Sequence, residues 1–224
     1  MISAMSAREQ VLATARKMNA MGLNQGSSGN VSVRDGQGFL ITPSALPYDL
    51  CEAADMVWLD LDGQPADPTD PANPRRRRPS SEWRMHAAIY QSCPQAGAVL
   101  HTHSIGCTAL ACLERSIPAF HYMVALAGGD SIRCAPYQPF GTEELAQSVI
   151  EGLRDRTALL LAHHGLVCYA GDLSEVLNLA AEIEALARMY LQVVQVCPDP
   201  PLLSREQMDW VLHRFADYKR VESA

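Results

Sequence analysis

Long apolar runs are missing from this sequence of 224 residues. No stretch reaches the roughly 18 consecutive apolar residues that a bilayer-spanning helix needs, so no membrane span is predicted. The opening residues, MISAMSAREQ, lack the apolar segment of a signal peptide and are typical of a helix start. An excess of positive charge is also missing, because the formal net charge is -7. This charge argues against nucleic acid or an anionic membrane surface as the main partner.

Paired cysteines are absent as well. The seven cysteines are odd in number and scattered, and no C-x-x-C pair occurs among them. This usage is typical of reduced thiols, so we expect a cytoplasmic protein without a disulfide framework. Four cysteines lie in apolar stretches and are interpreted as small buried hydrophobic residues: Cys107, Cys112, Cys134 and Cys168.

The chain is long enough to bury a sizeable core, and 48% of its residues are hydrophobic. A Pro/Asp-rich segment at residues 64–79, QPADPTDPANPRRRRP, could mark a domain boundary. We reject that boundary because residues able to carry chemistry lie on both sides and are expected to form one site. The sequence therefore predicts a single domain over residues 1–224.

Helices and strands alternate irregularly along the chain. Helical spacing and capping residues predict helices that begin at Ser6, at Ser80 or Ser81, and near residues 104, 142, 174 and 204. Strand patterns predict a hairpin over 31–42 that turns at RDGQG, and strands within 56–63, 96–103, 120–126, 131–137 and 157–165. This order favours a mixed or antiparallel sheet covered by helices.

The stretch AVLHTHSI, residues 98–105, is an apolar strand that ends in two histidines. Because strand side chains alternate between faces, His101 and His103 are predicted to project the same way. Two neutral imidazoles on one edge suit a metal ion. A hydrogen-bonded structural pair is an equally acceptable explanation at this point.

A second apolar strand, LLLAHHG, ends in His163 and His164, of which at most one can join the first pair if the strand geometry continues. Glu82, in PSSE, is predicted in the first turn of a helix, where backbone N–H groups and the helix dipole favour a negative charge. Three histidines and this carboxylate would complete a tetrahedral zinc site.

Three short segments are suited to an anion: GSSGN at 26–30, TPSA at 42–45, and the serine pair at 80–81. Glycines let backbone N–H groups approach a ligand, and the hydroxyl groups add further donors. Each segment taken alone is also explained as an ordinary turn or helix cap.

Taken together, these segments resemble the class II aldolase/adducin family over about residues 8 to 220. The likeness rests on LNQGSSGNVSVR, ITPSALPY, PSSEWRMHAAIYQ, VLHTHSIGCTAL, RSIPAFHYMVALAGGDSI, CAPYQPFGTEEL and LLAHHGLV, in the family's order and with compatible spacing. The resemblance implies a three-layer α/β/α fold with a mainly antiparallel central sheet. It also implies a fourfold homotetramer with its sites between subunits.

The resemblance further implies roles for individual residues. One Zn²⁺ per subunit would be held at rest by His101, His103, His164 and Glu82, and Glu82 would act as a base once substrate displaces it. His163 would only flank the site. Tyr122 and Tyr218 match tyrosines that serve as proton donors in a neighbouring subunit's site. Phe140 matches an apolar wall of the aldehyde pocket. The residues that match the phosphate pocket are Ser27, Gly29, Asn30, Ser44, Ser80 and Ser81.

The implied activity is a zinc-dependent lyase of carbohydrate metabolism. It would cleave a ketose 1-phosphate, of the fuculose 1-phosphate type, reversibly to dihydroxyacetone phosphate and a short aldehyde through a metal-stabilised enediolate. A sugar-phosphate dehydratase, a 4-epimerase or a decarboxylase would use the same metal site. Adducin-type relatives are structural and lack that site, whereas all four expected ligands are intact in this chain.

The sequence departs from the family pattern at two places. The family's glycine after TP[S/T] is Ala45 here, and its methyl group is expected to tighten the phosphate pocket or shift the loop. The segment 64–79 is longer than its counterpart. It is interpreted as a solvated surface loop, with the alternative that Arg76, Arg77 or Arg78 extends over the site to bind a carboxylate or phosphate. Trp83, His86 and His213 are assigned to structure.

Overall fold

A computed structural model of the chain describes residues 5–65 and 75–222, with side chains up to residue 217. The described strands are β1 (Asn30–Asp35), β2 (Gly38–Ile41), β3 (Val57–Asp60), β4 (Ala98–Thr102), β5 (Cys134–Ala135), β6 (Ala158–Leu161) and β7 (Gly165–Ala170). The α-helices are α1 (Ala7–Ala20), α2 (Trp83–Ser92), α3 (Ile105–Cys112), α4 (Glu143–Gly152), α5 (Leu173–Val196) and α6 (Arg205–Glu222). Two short 3₁₀ helices cover Ala53–Asp55 and Tyr122–Ala127.

The strands form one sheet of seven in the order β3-β2-β1-β4-β7-β6-β5. Every neighbouring pair is antiparallel except β5 and β6, which run parallel. The hairpin between β1 and β2 turns at the predicted place, where Gly36 has a φ of 60° and Asp35 faces Gly38. The expectation of a mainly antiparallel sheet between helices is confirmed.

Helices cover both faces of this sheet. Helices α1, α3 and α5 pack on one face, and α2 and α4 pack on the other. The alternation of β4 divides its side chains between the two cores: Ala98 and Leu100 face the α5 side, whereas Val99 faces α2. The next residue in that alternation, His101, therefore projects toward α2. The alternation of side chains along β4 thus places His101 on the face of the sheet that α2 covers.

The predicted strand over 120–126 is wrong, because residues Tyr122–Ala127 form a 3₁₀ helix. The ring Nδ1 of His121 accepts a hydrogen bond from the backbone N–H of Met123 and caps the first turn. Gly128 ends the helix with a φ of 90°. The apolar run FHYMVAL gives no sign of this local cap, and an apolar run of that length does not distinguish strand from helix.

Smaller differences affect other elements. The strand predicted over 131–137 is reduced to Cys134–Ala135, and β7 was not predicted at all. Helix α2 begins at Trp83, so Glu82 occupies the N-cap position rather than the first turn. Cys107 and Cys168 are buried as expected, but Cys134 is only half-buried and Cys112 is exposed. Among the described helices, none is long and apolar enough to cross a bilayer.

Candidate metal centre

Three histidines and one glutamate meet where β4, β7 and α2 come together. His101 is the fourth residue of β4, and His103 follows the end of that strand. His164 lies in the turn between β6 and β7, and β7 pairs with β4 so that Leu166 faces Thr102. Glu82 sits at the N-cap of α2, which packs on the same face. The structure thus brings together segments that are up to 82 positions apart in the chain.

The ligand atoms of Glu82, His101, His103 and His164 all lie within 4.8 Å of one another. The Nε2 atoms of His101 and His103 are 3.0 Å apart. Glu82 Oε2 lies 3.2 Å from His101 Nε2, and Glu82 Oε1 lies 3.1 Å from His164 Nε2. A tetrahedral zinc ion with bonds of about 2.0–2.1 Å has ligand atoms separated by about 3.3 Å. The separations of 3.0, 3.2 and 3.1 Å within the cluster are close to this value.

Two further observations show that these residues fit a metal ion. Glu82 Oε1 is buried and receives no hydrogen bond from a described residue, although His164 Nε2 lies 3.1 Å away; a cation between the two atoms would satisfy both. His101 Nδ1 lies 2.9 Å from the backbone carbonyl of Leu166. Since a carbonyl can only accept, Nδ1 carries the proton, and the lone pair of Nε2 faces the other ligands. Three nitrogens and one carboxylate form a donor set that zinc accepts.

The charges in the cluster favour its ligand form. Burial by itself would raise the pKa of Glu82, but His101 and His164 outweigh that effect and hold it well below its ordinary value. Burial, together with His101 and His164, lowers the pKa of His103 to about 4. Glu82 is therefore a carboxylate and His103 a neutral imidazole at neutral pH, and these are the states that bind metal.

His163 lies outside the cluster although it is adjacent to His164 in the chain. Its backbone is left-handed, with a φ of 54°, and its Nε2 lies 3.1 Å from Glu114 Oε1 at the surface. The strand ends at Leu161, so the strict alternation considered above does not extend to these residues. The turn directs His164 inward and His163 outward.

A cavity of about 340 Å³ lies beside the cluster. Its wall includes three residues of the cluster, Glu82, His103 and His164, together with Ser81, Tyr137, Phe140 and the neighbouring His163. Phe140 is 70% exposed and presents its ring to this space. A small substrate could therefore contact the candidate metal and an aromatic wall at the same time.

The three anion-suited segments converge at one end of the sheet. Ser44 donates its backbone N–H to Arg78 O at 2.9 Å, and Ser80 donates its own to Thr42 O at 3.0 Å. Gly29 must be a glycine, since a Cβ there would lie 2.7 Å from the carbonyl oxygen of His101. The loop before β1 therefore rests directly on the metal-binding strand. Ser27, Ser44 and Ser81 are exposed, whereas Gly29, Asn30 and Ser80 are buried.

Ala45 adopts a φ of 55°, the left-handed conformation that glycine occupies easily. The loop therefore keeps a glycine-like backbone although the residue has changed. This conformation is unfavourable for an alanine, so the loop carries strain at Ala45.

Two of the four arginines before PSSE, Arg75 and Arg77, bind acidic residues of the neighbouring loop. Arg77 Nε lies 2.8 Å from Asp55 Oδ1, and Arg75 pairs with Glu52 and Asp55. The Asp55 side chain is only 1% exposed. Arg77 thus anchors the segment that leads to Ser80 and does not extend over the cavity. Residues 66–74 of the Pro/Asp-rich segment lie outside the described part of the chain.

Tyr122, the first of the two tyrosines of the sequence analysis, is not among the described residues that line the cavity of this chain. Tyr122 is 49% exposed, and its ring stacks near Phe215 of α6, with the ring centres 6.4 Å apart. Tyr218 lies on α6, but its side chain is outside the described residues.

Sequence reasoning missed one part of the site. His86, assigned to structure, is connected through Asn30 to Glu82 by buried hydrogen bonds. A signal was present in the sequence: Glu82, His86 and Tyr90 recur every four residues on the face of α2 that meets the sheet. On an otherwise apolar helix face, such a polar row indicates buried partners.

Comparisons with known proteins agree with this geometry. The profile of the "Class II Aldolase and Adducin N-terminal domain" family matches residues 9–191. The L-fuculose phosphate aldolase of Escherichia coli K12 is 46% identical over 209 residues, which are 93% of this chain and 94% of that protein. A 5-methylthioribulose-1-phosphate/5-deoxyribulose-1-phosphate aldolase of Rhodospirillum rubrum is 43% identical over 216 residues, 96% of this chain and 94% of the relative.

A solved structure of an L-fuculose 1-phosphate aldolase superimposes with a TM-score of 0.88 at 33% identity, covering 95% of this chain and 98% of the other. The chain therefore belongs to the class II aldolase and adducin family. Within the family it is an enzyme of the fuculose-phosphate aldolase type, and class II aldolases are metal-dependent lyases.

Proposed function

We propose that the protein is a zinc-dependent aldolase that cleaves a ketose 1-phosphate, of the fuculose 1-phosphate type, reversibly to dihydroxyacetone phosphate and a short aldehyde. The observation that supports this most directly is the cluster of Glu82, His101, His103 and His164, in which one buried carboxylate oxygen receives no hydrogen bond from a described residue. The relatives are named as aldolases of sugar phosphates: L-fuculose phosphate in one case, 5-methylthioribulose 1-phosphate and 5-deoxyribulose 1-phosphate in the other.

The four residues would hold zinc at rest; with Glu82 displaced by the substrate, the ion would supply a Lewis acid for the negative charge that develops on the ketone when the carbon–carbon bond breaks. The chain itself must move protons, because cleavage removes one from a substrate hydroxyl and returns one to the carbon left behind. Glu82 is placed to move a proton at the hydroxyl or the carbon, since it borders the cavity and is ionised. Phe140 provides an apolar wall for the aldehyde fragment.

The phosphate would bind where the three loops meet, through Ser27, Gly29, Asn30, Ser44, Ser80 and Ser81. Backbone hydrogen bonds between the 42–44 and 78–80 segments hold two of these loops side by side. A phosphate anchored away from the reacting bond would orient the ketone toward the metal ligands, and this orientation lowers the entropic barrier.

Assembly completes the site in this proposal. A fourfold homotetramer would bring Tyr122, and Tyr218 with it, to the cavity of a neighbouring subunit as proton donors. The exposure of Tyr122 beside α6 supports this role. We place the enzyme in the cytoplasm, in agreement with seven free cysteines.

The activity is tested by incubating the zinc-loaded protein with L-fuculose 1-phosphate and coupling the product to a dihydroxyacetone phosphate-dependent dehydrogenase. We expect NADH oxidation with the wild type and almost none with Glu82→Gln. A product that keeps the whole carbon skeleton would instead identify a dehydratase or epimerase, and release of CO₂ a decarboxylase.

The metal is tested with two adjacent histidines. Wild-type protein should contain about one zinc per chain, and His164→Asn should lose it, because removal of one of the three histidine ligands weakens zinc binding. His163→Asn is the matched control: asparagine tolerates the left-handed backbone, and the metal should be retained. Equal metal content in the two variants would remove His164 from the ligand set.

A further inference from the structure

A row of five buried polar side chains leads from the candidate metal centre into the interior of the protein. The row alternates between strand β1 and helix α2, in the order Glu82, Asn30, His86, Ser32 and Tyr90. Asn30 Nδ2 donates to Glu82 Oε2 at 3.0 Å, and Asn30 Oδ1 lies 2.5 Å from His86 Nε2. His86 Nδ1 lies 2.7 Å from Ser32 Oγ, which is 2.8 Å from the Tyr90 hydroxyl. Each of the five side chains is at most 7% exposed.

The row can form because polar residues repeat at nearly the same distance along strand β1 and along helix α2. On β1, Asn30 and Ser32 point to the same face and are separated by about 6.6 Å along the strand. On α2, Glu82, His86 and Tyr90 are each four residues apart, which is about 6.0 Å of helix rise. Polar side chains of the strand and the helix can therefore interleave without a gap. Arg34, the next residue in the strand series, ends the row with its guanidinium over the Tyr90 ring.

The direction of every hydrogen bond in the row follows from the first one. The Glu82 carboxylate can only accept, so Asn30 must present its NH₂ group to it, and the amide oxygen then faces His86. His86 therefore carries its proton on Nε2, which leaves Nδ1 as an acceptor. The single proton of Ser32 goes to that nitrogen, and Tyr90 donates to Ser32.

The alternative orientation of Asn30 would place its carbonyl oxygen against the carboxylate. Two acceptors would then face each other in a buried site, which is strongly unfavourable. Burial and the nearby His101 lower the pKa of His86 to about 3, so the ring stays neutral and keeps a single N–H. Burial also raises the pKa of Tyr90, which keeps the proton it donates.

We propose that His86 is a positioning residue for Glu82: by donating from Nε2–H to Asn30, it fixes the amide in the orientation that holds the carboxylate among the histidines. His86 acts only through Asn30 and touches neither metal nor substrate in this role. The proposal rests on the function proposed above, in which Glu82 is a metal ligand and a base. Partners of this kind behind metal ligands typically change metal affinity or activity by about 10–100-fold.

The test compares three variants of the full-length protein. His86→Gln places an amide nitrogen at about the position of Nε2 and keeps a donor for Asn30. His86→Asn is too short for that and can contact only Ser32. Tyr90→Phe is the matched control, because it also removes a buried hydrogen bond but leaves Ser32 donating to Nδ1 and the His86 tautomer unchanged.

The first measurement is independent of metal and substrate. The chain has five asparagines, so a protein labelled with ¹⁵N-asparagine gives a sparse NMR spectrum of side-chain amides. In metal-free protein we expect one Asn30 amide proton to be protected from solvent exchange in the wild type, His86→Gln and Tyr90→Phe. That protection should be lost in His86→Asn. Full protection in His86→Asn would overturn the proposal.

The second measurement is the affinity for zinc, by competition with a chelator, together with the separate values of kcat and KM. His86→Asn should bind zinc about 10–100-fold more weakly, and at saturating zinc its kcat should fall; KM should rise as well, because Asn30 also belongs to the proposed phosphate pocket. His86→Gln should recover most of both losses, and Tyr90→Phe should match the wild type. Equal defects in His86→Asn and Tyr90→Phe would reduce His86 to a structural residue.

The two proposals can fail separately. A wild-type protein that binds zinc but does not cleave the ketose phosphate would refute the proposed reaction, while amide protection and zinc affinity would still decide the role of His86. Conversely, an active aldolase in which His86→Asn keeps both properties would refute only the positioning role.

Discussion

At the scale of single residues, Ala45 holds a backbone conformation that its side chain disfavours. A left-handed conformation is less favourable for an L-residue by about 1–2 kcal/mol, because Cβ approaches the following carbonyl oxygen. The side chain is exposed, so its methyl group makes no core contact that offsets this strain. The loop keeps this shape because backbone hydrogen bonds hold it, including the one from Ser44 N–H to Arg78 O.

Ala45→Gly is therefore expected to stabilise the protein. Relief of the strain exceeds the extra flexibility that glycine gives the unfolded chain, which is about 0.4–1 kcal/mol. We expect a net gain of roughly 0.5 kcal/mol in the free energy of unfolding, measured with urea at fixed protein concentration. Ala45→Val should lower the stability, because a β-branched residue is still less compatible with this backbone. A glycine variant less stable than the wild type would contradict the assignment of strain.

At the scale of elements, helix α3 depends on helix α5 for its N-terminal cap. Ser104, at the N-cap of α3, makes no side-chain capping bond. Instead, Glu184 of α5 accepts the backbone N–H groups of Gly106 and Cys107, both at 2.9 Å, and also receives Arg188 Nε at 2.6 Å. A buried carboxylate thus satisfies donors that the helix cannot satisfy itself.

Glu184→Gln should lower the free energy of unfolding by about 1–3 kcal/mol. The charge-assisted hydrogen bonds to Gly106 and Cys107 become weaker, and the NH₂ group of the new side chain faces a donor where the carboxylate had accepted. Glu182→Gln, an exposed position two residues earlier, is the control and should change little. Burial by itself would raise the pKa of Glu184, but the two N–H groups, Ser104 and Arg188 lower it below its ordinary value of 4.5.

The lowered pKa of Glu184 also determines how the stability difference between the wild type and Glu184→Gln depends on pH. A carboxyl group whose pKa is lower in the folded than in the unfolded state contributes stability above the unfolded value and loses it as the pH falls through the folded value. The difference between the wild type and Glu184→Gln should thus be constant near neutral pH and shrink below about pH 4.5. A difference that persists unchanged into strong acid would show that packing, and not the carboxylate charge, is responsible.

At the scale of the whole molecule, the division of the site between subunits can be tested by mixing inactive variants. If Tyr122 serves a neighbouring subunit's cavity, Glu82→Gln and Tyr122→Phe subunits complement each other in mixed rings. Equal mixing in a fourfold ring creates an intact site in about one quarter of positions. We expect co-refolded mixtures to recover about that fraction of the activity of the wild type, measured in the coupled assay.

The control for this experiment uses two residues of the same chain. His101 and Glu82 lie 3.2 Å apart within one subunit, so Glu82→Gln mixed with His101→Asn leaves every site defective. Recovery in that control, or none in the Tyr122 mixture, would contradict a site shared in this way.

Much of the local structure could be predicted because its causes lie within a few residues. The capping box of Ser6 and Glu9, the hairpin at Gly36 and the long helix α5 follow from spacing and turn chemistry, and all are present. The metal-binding segments could be recognised for the same reason, since two histidines end an apolar strand and their parity assigns them to one face. The sequence by itself also determined the family, through motifs that recur in order along almost the whole chain.

Only the tertiary structure decided which distant groups are partners. Asn30 and His86 are 56 positions apart, and Arg77 binds Asp55 rather than a substrate. The 3₁₀ helix at Tyr122–Ala127 also depends on a specific cap that hydropathy does not report. The physical reason is that hydrophobic periodicity indicates only which face of an element is buried. Hydrogen-bond direction, tautomer and ion pairing depend instead on the atoms that the fold places next to each side chain.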